Sequence, residues 1–209
     1  MINLLYVFDS VFQTNVEIAK EAASIFANQS IHYRIRRMEQ VRGESSQLPF
    51  AAKNLSHDYE LVRKEDMEWA DSYVIASPIH TGMMSAATKY FIDCYHEDAV
   101  NGIFVDKPFT GIVTGGLVHG GTEKTLEQLY SVAMQWGCLI VSTNLTSGYQ
   151  NPYGVSFIMN HEKPYNTFFI RSALEEHLIP FIELTRHLKH QNKDEKKTKI
   201  FRISDVFGY

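Results

Sequence analysis

The sequence predicts an open α/β fold, in which a parallel β-sheet carries helices on both faces. Five short apolar runs alternate with segments of helical periodicity, the arrangement typical of a covered parallel sheet. Four of the five runs are almost wholly apolar, as expected for strands that are buried on both faces. The length of 209 residues is enough for one domain with a sizeable core.

The predicted strands are the five short apolar runs, in which the apolar residues do not follow helical spacing. The second run alternates apolar and basic residues, which is typical of a strand near the edge of a sheet. In chain order the five runs cover residues 3–9, 31–38, 72–78, 109–115 and 138–144.

The predicted helices follow the strands with a period of 3.6 residues. They cover residues 16–27, 85–95, 122–136 and 167 to about 190. In the second helix, one face should be formed by Ala87, Tyr90, Phe91 and Cys94. The last helix contains Pro180, which should kink it because the ring removes a donor and clashes with the preceding turn.

Two segments lie outside this alternation. Residues 42–64 form a polar connector in which we expect a weak helix. We expect one domain over residues 1–190 and a tail over residues 191–209 that is first charged and then apolar. The apolar end of the tail could pack on its own domain or reach a neighbouring subunit, and the sequence leaves both open.

Composition and charge narrow the class of protein. A net charge of -4 gives no basic field for nucleic acid, so we expect no nucleic-acid partner. No apolar stretch approaches the length of a membrane-spanning helix, and the start of the chain lacks the layout of a signal peptide. Cys94 and Cys138 show no metal or disulfide spacing, which predicts buried, reduced thiols. These features favour a cytoplasmic protein.

The loop after the first strand, SVFQTN at residues 10–15, is the first candidate for ligand binding. Ligands of open parallel sheets bind beyond the carboxyl ends of the strands, and here hydroxyls and an amide meet the start of a helix. This loop could therefore hold a phosphate. The alternative is a capping box formed by Thr14 and Glu17, which would satisfy the same helix donors without a ligand and is favoured when this loop is considered alone.

The loops after the third and fourth strands are the other two candidates. The sequence SPIHTGMMS at residues 77–85 contains a stiffening proline and a permissive glycine. The sequence TGGLVHGGTE at residues 114–123 contains four glycines, which suggest close backbone approach to a planar or anionic ligand. Neither loop fits a dinucleotide fingerprint or a P-loop. His80, His119 and His161 lie in separate loops, so no metal site is predicted.

With these loops in hand, the chain resembles the WrbA-type NAD(P)H:quinone oxidoreductases over nearly its whole length. Four stretches carry the resemblance: FDSVFQTNVEIA, ADSYVIASPIHTGMMSAATKYFID, TGGLVHGGTEKTL and NPYG. The resemblance implies a flavodoxin-like, three-layer α/β/α sandwich with strand order 2-1-3-4-5 and a tetramer. It also implies a non-covalent FMN, which would take hydride from NAD(P)H and pass electrons to a quinone.

The resemblance also implies which residues contact the cofactor. His119 matches the active-site histidine and is the candidate catalytic residue. The candidate FMN contacts are Ser10, Val11, Phe12, Gln13, Thr14, Asn15, Pro78, Ile79, His80, Thr81, Gly82, Met83, Thr114, Gly115, Gly116, Leu117 and Tyr153.

Several positions depart from the family pattern. Gln13 stands where the family has glycine, so a positive φ at this position would cost roughly 1 kcal/mol. His80 replaces arginine, Met83 replaces asparagine, and Ala99 replaces a tryptophan that covers the flavin. The alternative function is therefore a flavodoxin-like interaction or regulatory protein with weak or lost FMN binding.

Overall fold

Seven strands and six helices are found in the parts of the chain that the computed structural model describes, which are residues 1–41, 58–143, 152–159 and 167–194. Most of the polar connector and the end of the tail lie outside these residues. The strands are β1 Asn3–Phe8, β2 His32–Arg37, β3 Ser72–His80, β4 Met83–Met84, β5 Pro108–Gly115, β6 Leu139–Ile140 and β7 Val155–Ile158. The helices are α1 Thr14–Ala27, α2 Lys64–Trp69, α3 Ala86–Cys94, α4 His96–Val100, α5 Thr122–Gln135 and α6 Thr167–Asp194.

The main sheet is parallel and has the order β2-β1-β3-β5-β6, which confirms the expected order 2-1-3-4-5. Only the two-residue β4 runs antiparallel among the described strands, and it pairs with the end of β3 outside the main sheet path. β1 therefore lies between β2 and β3, so its carboxyl end opens at the point where the chain order reverses.

The fifth strand position is filled by two separate segments, so the prediction of one strand over residues 138–144 was wrong. β6 pairs only with Pro108 and Phe109, and β7 pairs with the end of β5, from Ile112 to Gly115. An edge strand is held by hydrogen bonds on one side only. The chain leaves this edge after the N–H of Val141 donates to the carbonyl of Phe109. The vacated end is then paired by β7.

Two apolar layers cover the sheet because side chains alternate along each strand. Leu4, Tyr6 and Phe8 face α1 and α6, whereas Leu5 and Val7 face the layer that contains α3 and α5. This arrangement confirms the three-layer sandwich. It also fixes the carboxyl ends of β1, β3 and β5 side by side.

The buried face of α3 differs from the predicted one. Ala87 and Phe91 are buried as expected, but Tyr90 and Cys94 are exposed, and Thr88 is buried instead. The hydroxyl of Thr88 donates to Ser77 Oγ at 2.9 Å, which rotates this face of the helix towards β3. Of the two predicted buried thiols, only that of Cys138 is buried.

The last helix, α6, continues through Pro180 and ends at Asp194, four residues beyond the expected domain boundary. Leu178, Phe181 and Ile182 are completely buried on either side of the proline. Their packing offsets the backbone hydrogen bond that proline cannot make. Within the described residues, no helix combines the length and the apolar character that crossing a membrane requires.

Candidate functional site

A cleft lies beyond the carboxyl ends of β1, β3 and β5, where the three predicted loops meet. Its lining consists of Ser10, Val11, Phe12, Thr14, Asn15, Pro78, Ile79, His80, Thr114, Gly115, Gly116 and Met159. The fold thus brings together eleven of the predicted cofactor contacts in one place.

The first loop enters α1 through a left-handed residue. Gln13 has φ 68° and ψ -12°, is the N-cap of α1, and makes no side-chain capping bond. Gln13 therefore adopts the positive φ that is costly for a residue other than glycine. The N–H groups of Val16 and Glu17 both donate to the carbonyl of Gln13, at 3.0 and 3.1 Å.

The capping box expected from Thr14 and Glu17 does not form. Because Gln13 turns the chain first, Thr14 is already the first residue of the helix and cannot act as its cap. Glu17 instead pairs with Lys20 at 2.8 Å. The N–H groups of Thr14 and Asn15 precede the first intrahelical bonds, so they remain available to an anion at the helix end.

Two buried oxygen atoms in the first loop have no hydrogen-bond partner in the part of the chain that the structure describes. They are Ser10 Oγ and Asn15 Oδ1, in residues that are 2% and 1% exposed. The amide nitrogen of Asn15 donates to the carbonyl of Asp9 at 2.7 Å, which fixes the orientation of the side chain. Buried polar atoms without partners are costly. A ligand with hydroxyl and phosphate oxygens fits, because Ser10 can donate to either and Asn15 Oδ1 can accept from a hydroxyl.

The second loop is a β-hairpin formed by the end of β3 and by β4. Ile79 pairs with Met84 and His80 pairs with Met83, so two residues form the turn. These two residues, Thr81 and Gly82, have φ values of 53° and 77°, the pattern of a type I′ turn.

The base of this hairpin is held by polar contacts to two helices. Ser77 Oγ accepts from the N–H of Ser85 at 3.2 Å and from the hydroxyl of Thr88 at 2.9 Å. The side-chain carbonyl of Gln128 in α5 accepts from the N–H of Met84 at 3.1 Å. The hairpin therefore presents Pro78, Ile79 and His80 to the cleft from a fixed base.

The glycines of the third loop serve different purposes. Gly121 has φ 96°, and a Cβ there would lie 3.1 Å from the carbonyl oxygen of Gly82. This glycine allows the third loop to pack against the hairpin. Gly116 lines the cleft, and a Cβ there would meet nothing within 4 Å. The idea that all four glycines approach a ligand is therefore too broad, and Gly116 is the position that borders open space.

Seven of the predicted site residues lie outside the cleft lining. They are Gln13, Thr81, Gly82, Met83, Leu117, His119 and Tyr153. Leu117 is 72% exposed, and His119 is also exposed in the turn that precedes Gly120. The catalytic role of His119 and the contacts of this group with a cofactor remain predictions.

Met159 is the lining residue that sequence reasoning missed. Its N–H donates to the carbonyl of Gly115 at 2.8 Å, so the β5–β7 pairing continues up to the cleft. Its side chain is 6% exposed and packs with the layer that contains α1. The apolar alternation of residues 155–159 could have revealed a strand that ends at the site.

The lining contains little formal charge. Among the described residues that line the cleft, His80 is the one side chain that can become positive. A phosphate would therefore depend on N–H groups, hydroxyls and the α1 dipole. Ala99, where the family places a tryptophan, is packed partly buried against the layer with α3 and α5 and does not line the cleft.

Solved structures share this fold. A WrbA-like flavodoxin protein from Agrobacterium tumefaciens superposes with a TM-score of 0.60 at 17% identity, covering 90% of this chain and 99% of that one. A flavodoxin from the domain Archaea has a TM-score of 0.58 at 12% identity, covering 90% of this chain and all of the other. These neighbours confirm the flavodoxin-like fold.

Sequence comparison identifies the family. The NAD(P)H dehydrogenase (quinone) of Deinococcus radiodurans is 31% identical over 129 residues, which cover 59% of this chain and 63% of that protein. This chain therefore matches less than two thirds of the length of that relative. Residues 14–151, more than half of the chain, match the family described as NADPH-dependent FMN reductase. The protein belongs to the NADPH-dependent FMN reductase family.

Proposed function

We propose that this protein is an FMN-dependent oxidoreductase that passes electrons from NAD(P)H to quinones or similar flat acceptors. The observation that carries the proposal is the convergence of three loops on one cleft, where Ser10 Oγ and Asn15 Oδ1 are buried and find no partner within the described ranges. Family membership and the name of the Deinococcus radiodurans relative support the same reaction class.

FMN, when bound, supplies the redox chemistry, since its ring accepts hydride from a reduced nicotinamide and returns two electrons to an acceptor. The chain's own residues bind and orient it. Ser10, Thr14 and the first N–H groups of α1 would hold the phosphate, and Asn15 Oδ1 would accept from a hydroxyl of the ribityl chain.

The ring would lie over the carboxyl ends of β3 and β5, where the hairpin and the third loop pack together. Pro78 to His80 and Thr114 to Gly116, which line the cleft, would contact it. N–H groups of the third loop would stabilise negative charge that develops on reduction. His119, exposed in the loop after β5, is proposed to contact the acceptor at the mouth of the cleft. The contact proposed for Tyr153 would require an approach from the start of β7, the end of that strand opposite Met159.

The test is a visible absorption spectrum of the purified protein, recorded before and after FMN, then after NADPH or NADH, and finally after a quinone. We expect a bound-flavin spectrum that bleaches with the nicotinamide and returns with the quinone. A protein that stays colourless after incubation with FMN would refute the proposal.

The second candidate function is a flavodoxin-like interaction or regulatory module that binds FMN weakly. The left-handed Gln13 favours it, because the strain falls on the loop that must hold the phosphate. Quenching of FMN fluorescence discriminates between the two: stoichiometric quenching at micromolar protein supports the enzyme, and no quenching supports the module.

We also propose that the protein is a cytoplasmic homo-oligomer, either a dimer or a tetramer. Apolar side chains around the cleft support an interface, since Phe12, Met83, Leu117 and Val118 are between 42% and 72% exposed. Both cysteines are free, as expected in a reducing compartment. Light scattering after size-exclusion chromatography would give the number of subunits, and a monomer would contradict the proposal.

A further inference from the structure

Asp9 is a buried residue that directly precedes the loop at the phosphate end of the cleft. Asp9 is 1% exposed and precedes Ser10, the first lining residue. Its backbone carbonyl accepts from the amide nitrogen of Asn15 at 2.7 Å. Asp9 is therefore bonded along the chain to Ser10 and by a hydrogen bond to Asn15, although its own side chain does not line the cleft.

The two carboxylate oxygens of Asp9 have different surroundings. Oδ1 accepts a hydrogen bond from the side-chain amide of Gln40, whereas Oδ2 is buried and has no hydrogen-bond partner among the described residues. A neutral amide does not cancel a negative charge. The field of this carboxylate therefore reaches the neighbouring loop through protein rather than through water. Protein screens an electric field less than water does.

The cleft offers little to offset this charge. His80, on the hairpin, is the one described lining residue that can become cationic. The nearest base in the first turns of α1, Lys20, is half exposed and already pairs with Glu17. A phosphate dianion would gain from the N–H groups at the start of α1 and lose from the carboxylate of Asp9, the residue before the loop.

The unpartnered acceptor in the cleft also favours a hydroxyl group over a phosphate. Asn15 Oδ1 is an acceptor, and the amide nitrogen of the same side chain donates to the carbonyl of Asp9. A phosphate dianion has no proton to donate, whereas each ribityl hydroxyl does. This unpartnered acceptor therefore favours a hydroxyl group and gains nothing from the phosphate.

We propose that Asp9 is a specificity-determining residue that lowers the preference of the cleft for FMN over riboflavin, the same flavin without its phosphate. This inference rests on the proposed function, since it requires a flavin in the cleft. It predicts a preference between two flavins, FMN and riboflavin, and does not depend on the electron acceptor.

The experiment measures the dissociation constants of FMN and riboflavin by fluorescence quenching for the wild-type protein and for Asp9→Asn. Asparagine keeps the shape and the acceptor for Gln40 but removes the charge. We expect the ratio of the riboflavin constant to the FMN constant to rise on the order of tenfold, mainly through tighter FMN binding. A loss of loop geometry alone would weaken both flavins together and leave the ratio unchanged.

Asp98→Asn is the control for removing a buried carboxylate away from the cleft, because Asp98 is 6% exposed, lies on α4 outside the cleft lining and pairs with Lys64 at 2.6 Å. The ratio of the riboflavin constant to the FMN constant in Asp98→Asn should equal that of the wild-type protein. Asp9→Ser, which removes the charge with a smaller side chain, repeats the test should Asp9→Asn fail to fold.

The outcomes separate this inference from the proposed function. If both flavins bind and the ratio does not rise in the Asp9 variants, the role of Asp9 is refuted and the proposed function stands. If neither flavin binds the wild-type protein, both are refuted. A rise in the ratio that Asp98→Asn does not share supports the inference.

Discussion

At the scale of single residues, Gln13 links backbone strain to the site. Its φ of 68° lies in the region that glycine adopts readily and that other residues adopt at a cost. The same turn places Thr14 and Asn15 at the helix start, where their N–H groups can meet a phosphate. Strain and function therefore coincide at one position.

We predict that Gln13→Gly stabilises the folded protein by about 1 kcal/mol and tightens FMN binding, because glycine removes the strain of the left-handed conformation. Urea unfolding and fluorescence titration with FMN measure the two effects. The control is Gln135→Gly at the exposed end of α5, which should lower stability because its backbone is helical. Unchanged or weaker FMN affinity in Gln13→Gly would show that glycine is not what this loop lacks.

At the scale of elements, the hairpin and the third loop act as one unit. Gly121 packs against Gly82, and Gln128 of α5 binds the backbone of Met84. The sequence places both loops at the carboxyl ends of strands, but it does not reveal that one supports the other. Contacts between residues about 40 positions apart depend on strand order and register, which no local pattern specifies.

We predict that Gly121→Ala and Gly116→Ala have different effects, although both lie in the third loop. Alanine at position 121 has an unfavourable φ of 96° and meets the Gly82 carbonyl at 3.1 Å, so we expect a loss of about 2 kcal/mol in stability and weaker FMN binding. Alanine at position 116 meets open space and should leave stability within about 0.5 kcal/mol while still altering FMN affinity.

Chemical unfolding and FMN titration of both glycine variants test this division of roles. Equal losses of stability in the two variants would contradict it, as would a Gly121→Ala protein with the wild-type midpoint.

At the scale of the whole molecule, His177 joins α6 to the centre of the sheet. It is 3% exposed, and its Nε2 lies 2.6 Å from the hydroxyl of Thr110 on β5. Burial lowers the pKa of His177 from 6.5 to about 4. The folded protein therefore holds a neutral imidazole over a pH range in which the unfolded chain binds a proton.

We predict that the free energy of unfolding falls as the pH decreases from about 6.5 to about 4, because the unfolded state binds more protons in that window. His177 should contribute on the order of 3 kcal/mol to this loss. His177→Gln should be less stable at pH 7, since it loses packing, but its stability should depend less on pH. Urea unfolding at several pH values gives both quantities.

His187→Gln is the control for this experiment. His187 lies on the same helix but is exposed, so its imidazole is hydrated in both the folded and the unfolded chain. Its unfolding should follow the pH dependence of the wild type. A His177→Gln protein with an unchanged pH dependence would contradict the role of the buried imidazole.

The sequence by itself determined an α/β fold with a covered parallel sheet and the loops that meet at the cleft, and its resemblance to a known family implied the strand order and the three-layer sandwich. Short apolar runs and helices of period 3.6 are local patterns, and a parallel sheet places the loops that follow its strands at one edge. The tertiary structure alone decided that the fifth strand is divided, that Met159 reaches the cleft and that Thr14 does not cap α1. It also revealed that Asp9, the residue before the phosphate loop, is buried. These features depend on long-range pairing, on one backbone angle and on which polar atoms find partners, and such quantities exist only once the chain has folded.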